Sequence, residues 1–116
     1  MSKRDDKGFL AKTLINATAI YLTANLVEGI HISSFGTAIV AAIVLGLANA
    51  LIKPVLLILS LPINVVTLGL FTLVINGILL MMVSMFTTGF IVSGLGSAII
   101  GYIVISILSF LINVIL

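Results

Sequence analysis

Residues 14–56 read LINATAIYLTANLVEGIHISSFGTAIVAAIVLGLANALIKPVL, and residues 74–116 read VINGILLMMVSMFTTGFIVSGLGSAIIGYIVISILSFLINVIL. A shift of 60 residues aligns the two stretches without a gap. They share 12 identities in 43 positions, where composition alone predicts roughly four. Asn16 aligns with Asn76, and Gly29 with Gly89. The sequence therefore predicts an internal duplication, each copy holding two long apolar segments.

Composition places the duplicated segments in a membrane. The chain is 62% hydrophobic and 7% charged, with a mean hydropathy of +1.49, which is too little charge to clothe a soluble domain. Apolar runs at about 9–27, 36–58, 64–88 and 97–116 each approach the roughly 20 residues that a spanning helix needs. They lack the alternation of barrel strands. The predicted fold is an all-α membrane protein with four transmembrane helices.

The duplication also predicts the domain organisation. A basic cytoplasmic tail covers residues 1–8, and a four-helix transmembrane domain covers residues 9–116. Within that domain, the first repeat covers about 9–58, the linker about 59–68 and the second repeat about 69–116. Because each repeat holds two spans, we expect parallel hairpins related by a pseudo-two-fold axis along the membrane normal. Pro54 and Pro62 near the linker predict a kink or a short interfacial helix.

The few charges set the orientation. Four spans bring the N-terminus and the linker to one side, and all five Lys and Arg residues fall there, which predicts cytoplasmic N- and C-termini. Six of the eight charged residues lie in the first twelve, so the net positive charge describes a short tail and predicts no nucleic-acid partner. We expect the first run to be retained, because its Ala17-Thr18-Ala19 cleavage box lies inside an apolar run.

Asparagines and one lysine are the polar candidates within the spans. Asn16 and Asn76 occupy matched places, so the repeat predicts equal roles, either as interhelical contacts near the bundle axis or as a polar constriction for a solute. Asn49 lies one turn before Lys53 near the predicted cytoplasmic end of the second span. Lys53 either anchors the helix by extending its ammonium to the interface or binds an anionic lipid or polyprenyl-phosphate headgroup.

Small residues form a seam along the second span, here called the small-residue seam: Ala38, Ala42, Gly46 and Ala50. Such a seam lets another backbone approach closely. The matching places in the second copy hold Ala98, Tyr102, Ser106 and Phe110. The seam therefore serves either packing within one copy or, as we predict, contact within a homo-oligomer.

Catalytic constellations are missing from the sequence. Cysteine is absent, no ionisable residue lies near the centre of any predicted span, and no nucleophile–base pair, phosphate-binding loop or metal cluster occurs. We therefore predict a non-enzymatic protein without a cofactor or metal. In the outer loops we expect Ser33 and Ser93 to cap the following helices and His31 to be a surface residue.

Three segments resemble a known family: NALIKP at 49–54, LPINVVTLGLFTLVIN at 61–76, and the paired loops GIHISSFGTA at 29–38 and GFIVSGLGSA at 89–98. They are similar to the small four-helix phage holin-like membrane proteins of bacteria, the YvlD-type family. The resemblance covers nearly the whole chain after residue 9 and implies a multi-pass protein of the bacterial inner membrane.

The functional expectation combines the residues and the resemblance. It is a non-enzymatic inner-membrane protein, in contact with membrane lipids and assembled as a homo-oligomer, with a role in envelope maintenance or membrane permeability. A pore-forming holin is one alternative, although holins commonly end in a charged tail and this sequence ends at Leu116 within its last apolar run. A small carrier or lipid translocator is the other.

Overall fold

A computed structural model describes the backbone of residues 2–115 and the side chains of residues 8–115. Its described part consists of helices and two short strands, in the order α1 (Ser2–Leu26), β1 (Ile30–Ile32), α2 (Phe35–Leu51), α3 (Lys53–Leu59), α4 (Leu61–Val66), α5 (Phe71–Phe86), β2 (Phe90–Val92) and α6 (Leu95–Ile115). The mostly helical fold confirms the prediction of an all-α protein at that level.

The four long helices pack as a ring. α1 packs against α2 and α6, and α5 also packs against α2 and α6, so that α1 faces α5 across the diagonal. The core combines small residues of α1 and α2 with larger apolar residues from α1, α5 and the strands, among them Ala17, Ala19, Ile20, Ile30, Ala38, Ala41, Leu79, Leu80, Val83 and Phe90. Close approach along α1 and α2 follows from these alanines, because they keep the backbones near each other.

A small sheet joins the two hairpins at one end of the ring. β1 pairs with β2 in antiparallel register, and His31 lies opposite Ile91. Beyond the strands, the backbone N–H of Ser33 donates to the carbonyl of Gly89 at 2.9 Å, and that of Ser93 to Gly29 at 2.8 Å. These two bonds are equivalent under the 60-residue shift, because Ser33 corresponds to Ser93 and Gly29 corresponds to Gly89. The sequence predicted loops here, because three residues are too few to display a strand period.

The two loop glycines fit where the hairpins cross. Gly29 and Gly89 adopt φ of 89° and 91°, a region that residues with a Cβ rarely enter. A Cβ on Gly29 would collide with the Ser93 and Ser97 hydroxyls, and one on Gly89 would collide with the Ser33 hydroxyl. Glycine at these positions thus permits both the turn and the close crossing.

The linker between the hairpins is itself helical. Pro54 and Pro62 lie in the first turns of α3 and α4, where proline's missing N–H leaves no helix bond unmade. The axes of α2 and α3 differ by 41°. The prediction that the third long helix starts at about residue 64 is wrong, because α5 begins at Phe71. Leu68 and Gly69, with φ of 58° and 85°, turn the chain just before it.

The helices differ in their suitability to cross a bilayer. α6, with 21 residues, is long and apolar enough alone, and α2 with α3 qualifies if the bent pair is taken as one span. α5 has 16 residues, or about 24 Å of helix against a hydrocarbon core of about 30 Å. α1 has 25 residues, but Lys12, Asn16 and Asn25 lower its hydropathy.

Candidate functional site

A first polar contact joins α1 to α6. The Ser109 hydroxyl donates to Asn16 Oδ1 at 3.0 Å, and both groups are partly buried. Ser109 lies 60 residues after Asn49 and aligns with it under the predicted repeat. Sequence reasoning singled out Asn16 but not Ser109, since a serine on an apolar helix has no distinctive spacing.

A second contact crosses the ring between α2 and α6, which lie on opposite corners. The Tyr102 hydroxyl donates to Asn49 Oδ1 at 3.2 Å. Lys53 Nζ lies 5.5 Å from the centroid of the Tyr102 ring, within the range of a cation–π contact. Tyr102 thus contacts both Asn49 and Lys53. Its alignment with Ala42 gave no indication of these contacts.

Asn76 differs from its counterpart Asn16. Its Oδ1 atom is buried and accepts no hydrogen bond from any described residue. α1 and α5 lie on a diagonal of the ring, and no hydrogen bond in the described part of the chain joins Asn16 to Asn76. The matched asparagines therefore have unequal environments, contrary to the expectation from the repeat.

The small-residue seam is divided between the interior and the surface. Ala38 and Ala42 are buried, at 0% and 4% exposure, and pack within the ring. Gly46 and Ala50 are exposed, and a Cβ on Gly46 would have open space around it. The open half forms the floor of a cavity of about 380 Å³, here called the α1–α2 groove, lined by Phe9, Lys12, Thr13, Asn16, Ala42, Ile43, Gly46, Leu47 and Ala50.

The linker contains a polar network that the sequence analysis missed. Asn64 Nδ2 donates to Ser60 Oγ at 3.0 Å, and Thr72 Oγ1 donates to Asn64 Oδ1 at 3.2 Å. The opposite side of the linker is apolar and exposed, as at Val66 and Leu68, with 82% and 92% exposure. The Ser60–Asn64 spacing of four residues is helical and offered the one available indication of this network.

The outer loops show a different cap from the predicted one. Ser34 caps α2 by accepting the backbone N–H of Thr37 at 3.2 Å, so the prediction of Ser33 was displaced by one residue. Ser33 instead contacts the Thr37 hydroxyl at 2.9 Å. His31 is exposed, and residues 8–115 contain no cluster of three potential metal ligands.

The arrangement as a whole holds helices together with neutral groups. Asn16 with Ser109 and Asn49 with Tyr102 are amide–hydroxyl pairs, of the kind that contributes around 0.6–2 kcal/mol between helices in lipid. Neither pair moves a proton at neutral pH, because amides and hydroxyls stay neutral there.

Comparison with known proteins identifies the family. A family model described as "Mycobacterial 4 TMS phage holin, superfamily IV" matches residues 7–111. The chain belongs to this family. The match confirms the resemblance inferred from the sequence and makes the protein a holin-like membrane protein.

Two curated relatives of this holin-like chain carry no assigned activity. It is 44% identical over 54 residues to "Uncharacterized membrane protein YvlD" of Bacillus subtilis, covering 47% of this chain and 45% of that protein. It is 36% identical over 67 residues to "Uncharacterized protein SCO3922" of Streptomyces coelicolor, covering 53% and 54%. The chain spans about half the length of the curated relatives it matches. No solved structure matches it.

Proposed function

We propose that this holin-like chain is a four-span, non-enzymatic protein of the bacterial inner membrane that serves envelope maintenance or membrane permeability and assembles as a homo-oligomer. The spans are α1, the bent pair α2–α3, α5 and α6, with both termini in the cytoplasm. The placement of every Lys and Arg towards one end of the predicted topology supports this orientation.

Matched contacts support the further proposal of a duplicated hairpin. His31 and Ile91, which are 60 residues apart, face each other in the sheet, and the bonds from Ser33 to Gly89 and from Ser93 to Gly29 exchange under the same shift. A two-fold relation between the hairpins predicts such reciprocity.

We also propose roles for the polar candidates. Asn16 and Asn49 hold helices together through Ser109 and Tyr102. Lys53 is partly buried, and its contact with the Tyr102 ring supports a role as an interfacial anchor, with its stem on the bundle and its ammonium at the membrane surface.

The closed interior of a single copy carries the functional proposal. The residues at the centre of the ring include Ala17, Ile20, Leu79 and Leu80, all with 0% exposure. The interior also holds Asn76 Oδ1 and Thr87 Oγ1 without a described partner, but the packed apolar side chains offer water no continuous run of hydrogen-bond partners and so admit no water column. One copy on its own therefore acts as a tight membrane element, and permeability changes require assembly.

Dye retention tests this function. Liposomes containing a self-quenching dye and about one copy of the chain each should stay tight, as protein-free liposomes do. The control is a double variant, Leu79→Ala with Leu80→Ala, which has a cavity in its interior. Its dye release shows whether the assay detects a loosened core. Dye release that rises in direct proportion to the wild-type copy number, starting from single copies, would contradict the proposal.

A pore-forming holin is the second candidate, favoured by the family match. In that case leakage should rise with a steep power of the protein-to-lipid ratio, since several copies must meet to line a path.

A further inference from the structure

The α1–α2 groove has a polar end and an apolar end. Lys12 and Thr13 precede Asn16 by one turn of α1, so they lie farther from the sheet, and Asn16 lies deeper. Asn16 Oδ1 already accepts the Ser109 hydroxyl, which leaves its Nδ2 as a donor. Towards the sheet, the wall continues with Ala42 and Ile43. The groove therefore presents Phe9 and the Lys12 cation at its outer end, then hydrogen-bond donors, then apolar surface.

The shape of the groove suits an extended chain. From Ala42 to Ala50 it follows α2 for about 12 Å at 1.5 Å per residue. Its volume is about 380 Å³, and Gly46, Leu47 and Ala50 on its floor are exposed, so an acyl chain can enter it from the side.

The second repeat lacks the features that make this groove. The places of Ala42, Gly46 and Ala50 are held there by Tyr102, Ser106 and Phe110, and the place of Lys12 is held by Thr72. The bare floor and the cation thus occur together in one hairpin.

We propose that the α1–α2 groove binds one diacyl phospholipid with an anionic headgroup. Lys12 faces the phosphate, Thr13 and Asn16 donate to the ester oxygens, and an acyl chain lies along Ala42 and Gly46. The order of chemical groups in the lipid matches the order of residues in the groove. This inference rests on the proposed insertion of α1 and α2 in the bilayer, with Lys12 at the headgroup level.

Native mass spectrometry of the whole chain in mild detergent tests the headgroup. With phosphatidylglycerol and phosphatidylcholine of identical acyl chains, we expect one phosphatidylglycerol to be retained preferentially. Lys12→Gln should weaken that binding about fivefold, the order expected for one lysine near an anionic surface. Lys53→Gln removes the other described lysine at this interface and should weaken the binding less than Lys12→Gln does, because Lys53 lies against Tyr102 and outside the groove. Equal retention of the two lipids, or no effect of Lys12→Gln, would overturn the proposal.

A second pair of variants tests the place of the acyl chain. Gly46→Leu fills open space and should abolish the bound lipid while circular dichroism shows an unchanged helix content. Ser106→Leu adds a similar side chain at the matching exposed place in α6 and should leave the lipid bound. If Gly46→Leu instead splits an oligomer and keeps the lipid, a second copy occupies the groove. An error in the proposed four-span topology would be detected separately, by labelling single cysteines at His31 and Ile91 in the outer loops from outside the cell.

Discussion

Two helical glycines should respond oppositely to the same substitution. Gly77 is buried in α5, and a Cβ there would lie 2.7 Å from Ile99 Cγ1 and 3.2 Å from the Ile99 backbone nitrogen. The side-chain atom can rotate away, but the nitrogen moves only with α6. Overpacking of this kind costs about 1–3 kcal/mol. Alanine returns about 0.5–1 kcal/mol through its better helix propensity, so Gly77→Ala should destabilise the bundle by up to about 2.5 kcal/mol.

Gly46→Ala is the matched control, since nothing lies within 4 Å of the added Cβ. It should stabilise the bundle by about 0.5–1 kcal/mol. The propensity contribution cancels between the variants, so their free energies of unfolding should differ by about 1–3 kcal/mol. Unfolding by sodium dodecyl sulfate in delipidated detergent, followed by far-UV circular dichroism, measures both, because the chain has no tryptophan for fluorescence. Equal shifts for the two variants would refute the close approach of α5 to α6.

Three further expectations concern matched positions. Asn16→Leu removes a hydrogen-bonded amide and should cost about 0.6–2 kcal/mol of unfolding free energy. Asn76→Leu removes a buried acceptor without a described partner and should leave the unfolding free energy unchanged or raise it. Equal losses of unfolding free energy in Asn16→Leu and Asn76→Leu, measured in the same assay, would contradict the assigned contacts. Gly29→Ala and Gly89→Ala force a Cβ into positive φ at the crossing, so each should lower the melting temperature, while Gly96→Ala, with open space around it, should not.

The sequence predicted the features that depend on long-range pattern. The apolar runs predicted the helices, and the segments at 49–54 and 61–76 identified the family. These properties are averaged over many side chains, so single residues do not disturb them.

Features that depend on individual side chains were not predictable. Asn16 and Asn76 occupy equivalent places by alignment, yet Asn16 accepts from Ser109 and Asn76 Oδ1 has no described donor. The residue equivalent to Ser109 is Asn49, and its Oδ1 instead accepts from Tyr102. Leu68 adopts a left-handed conformation that leucine rarely enters. Its residue type therefore did not predict the turn before α5.

The central claim is that the chain crosses the membrane four times, with both outer loops on the side opposite the N-terminus. The cysteine-free sequence allows single-cysteine variants at Lys3, His31 and Ile91 to be labelled with a membrane-impermeant maleimide in intact spheroplasts. The side chains of His31 and Ile91 are exposed and face each other across the sheet register. Both variants should label without permeabilisation, and Lys3→Cys should label only after it. Labelling of His31→Cys and Ile91→Cys from opposite sides, or of all three from outside, would contradict the account.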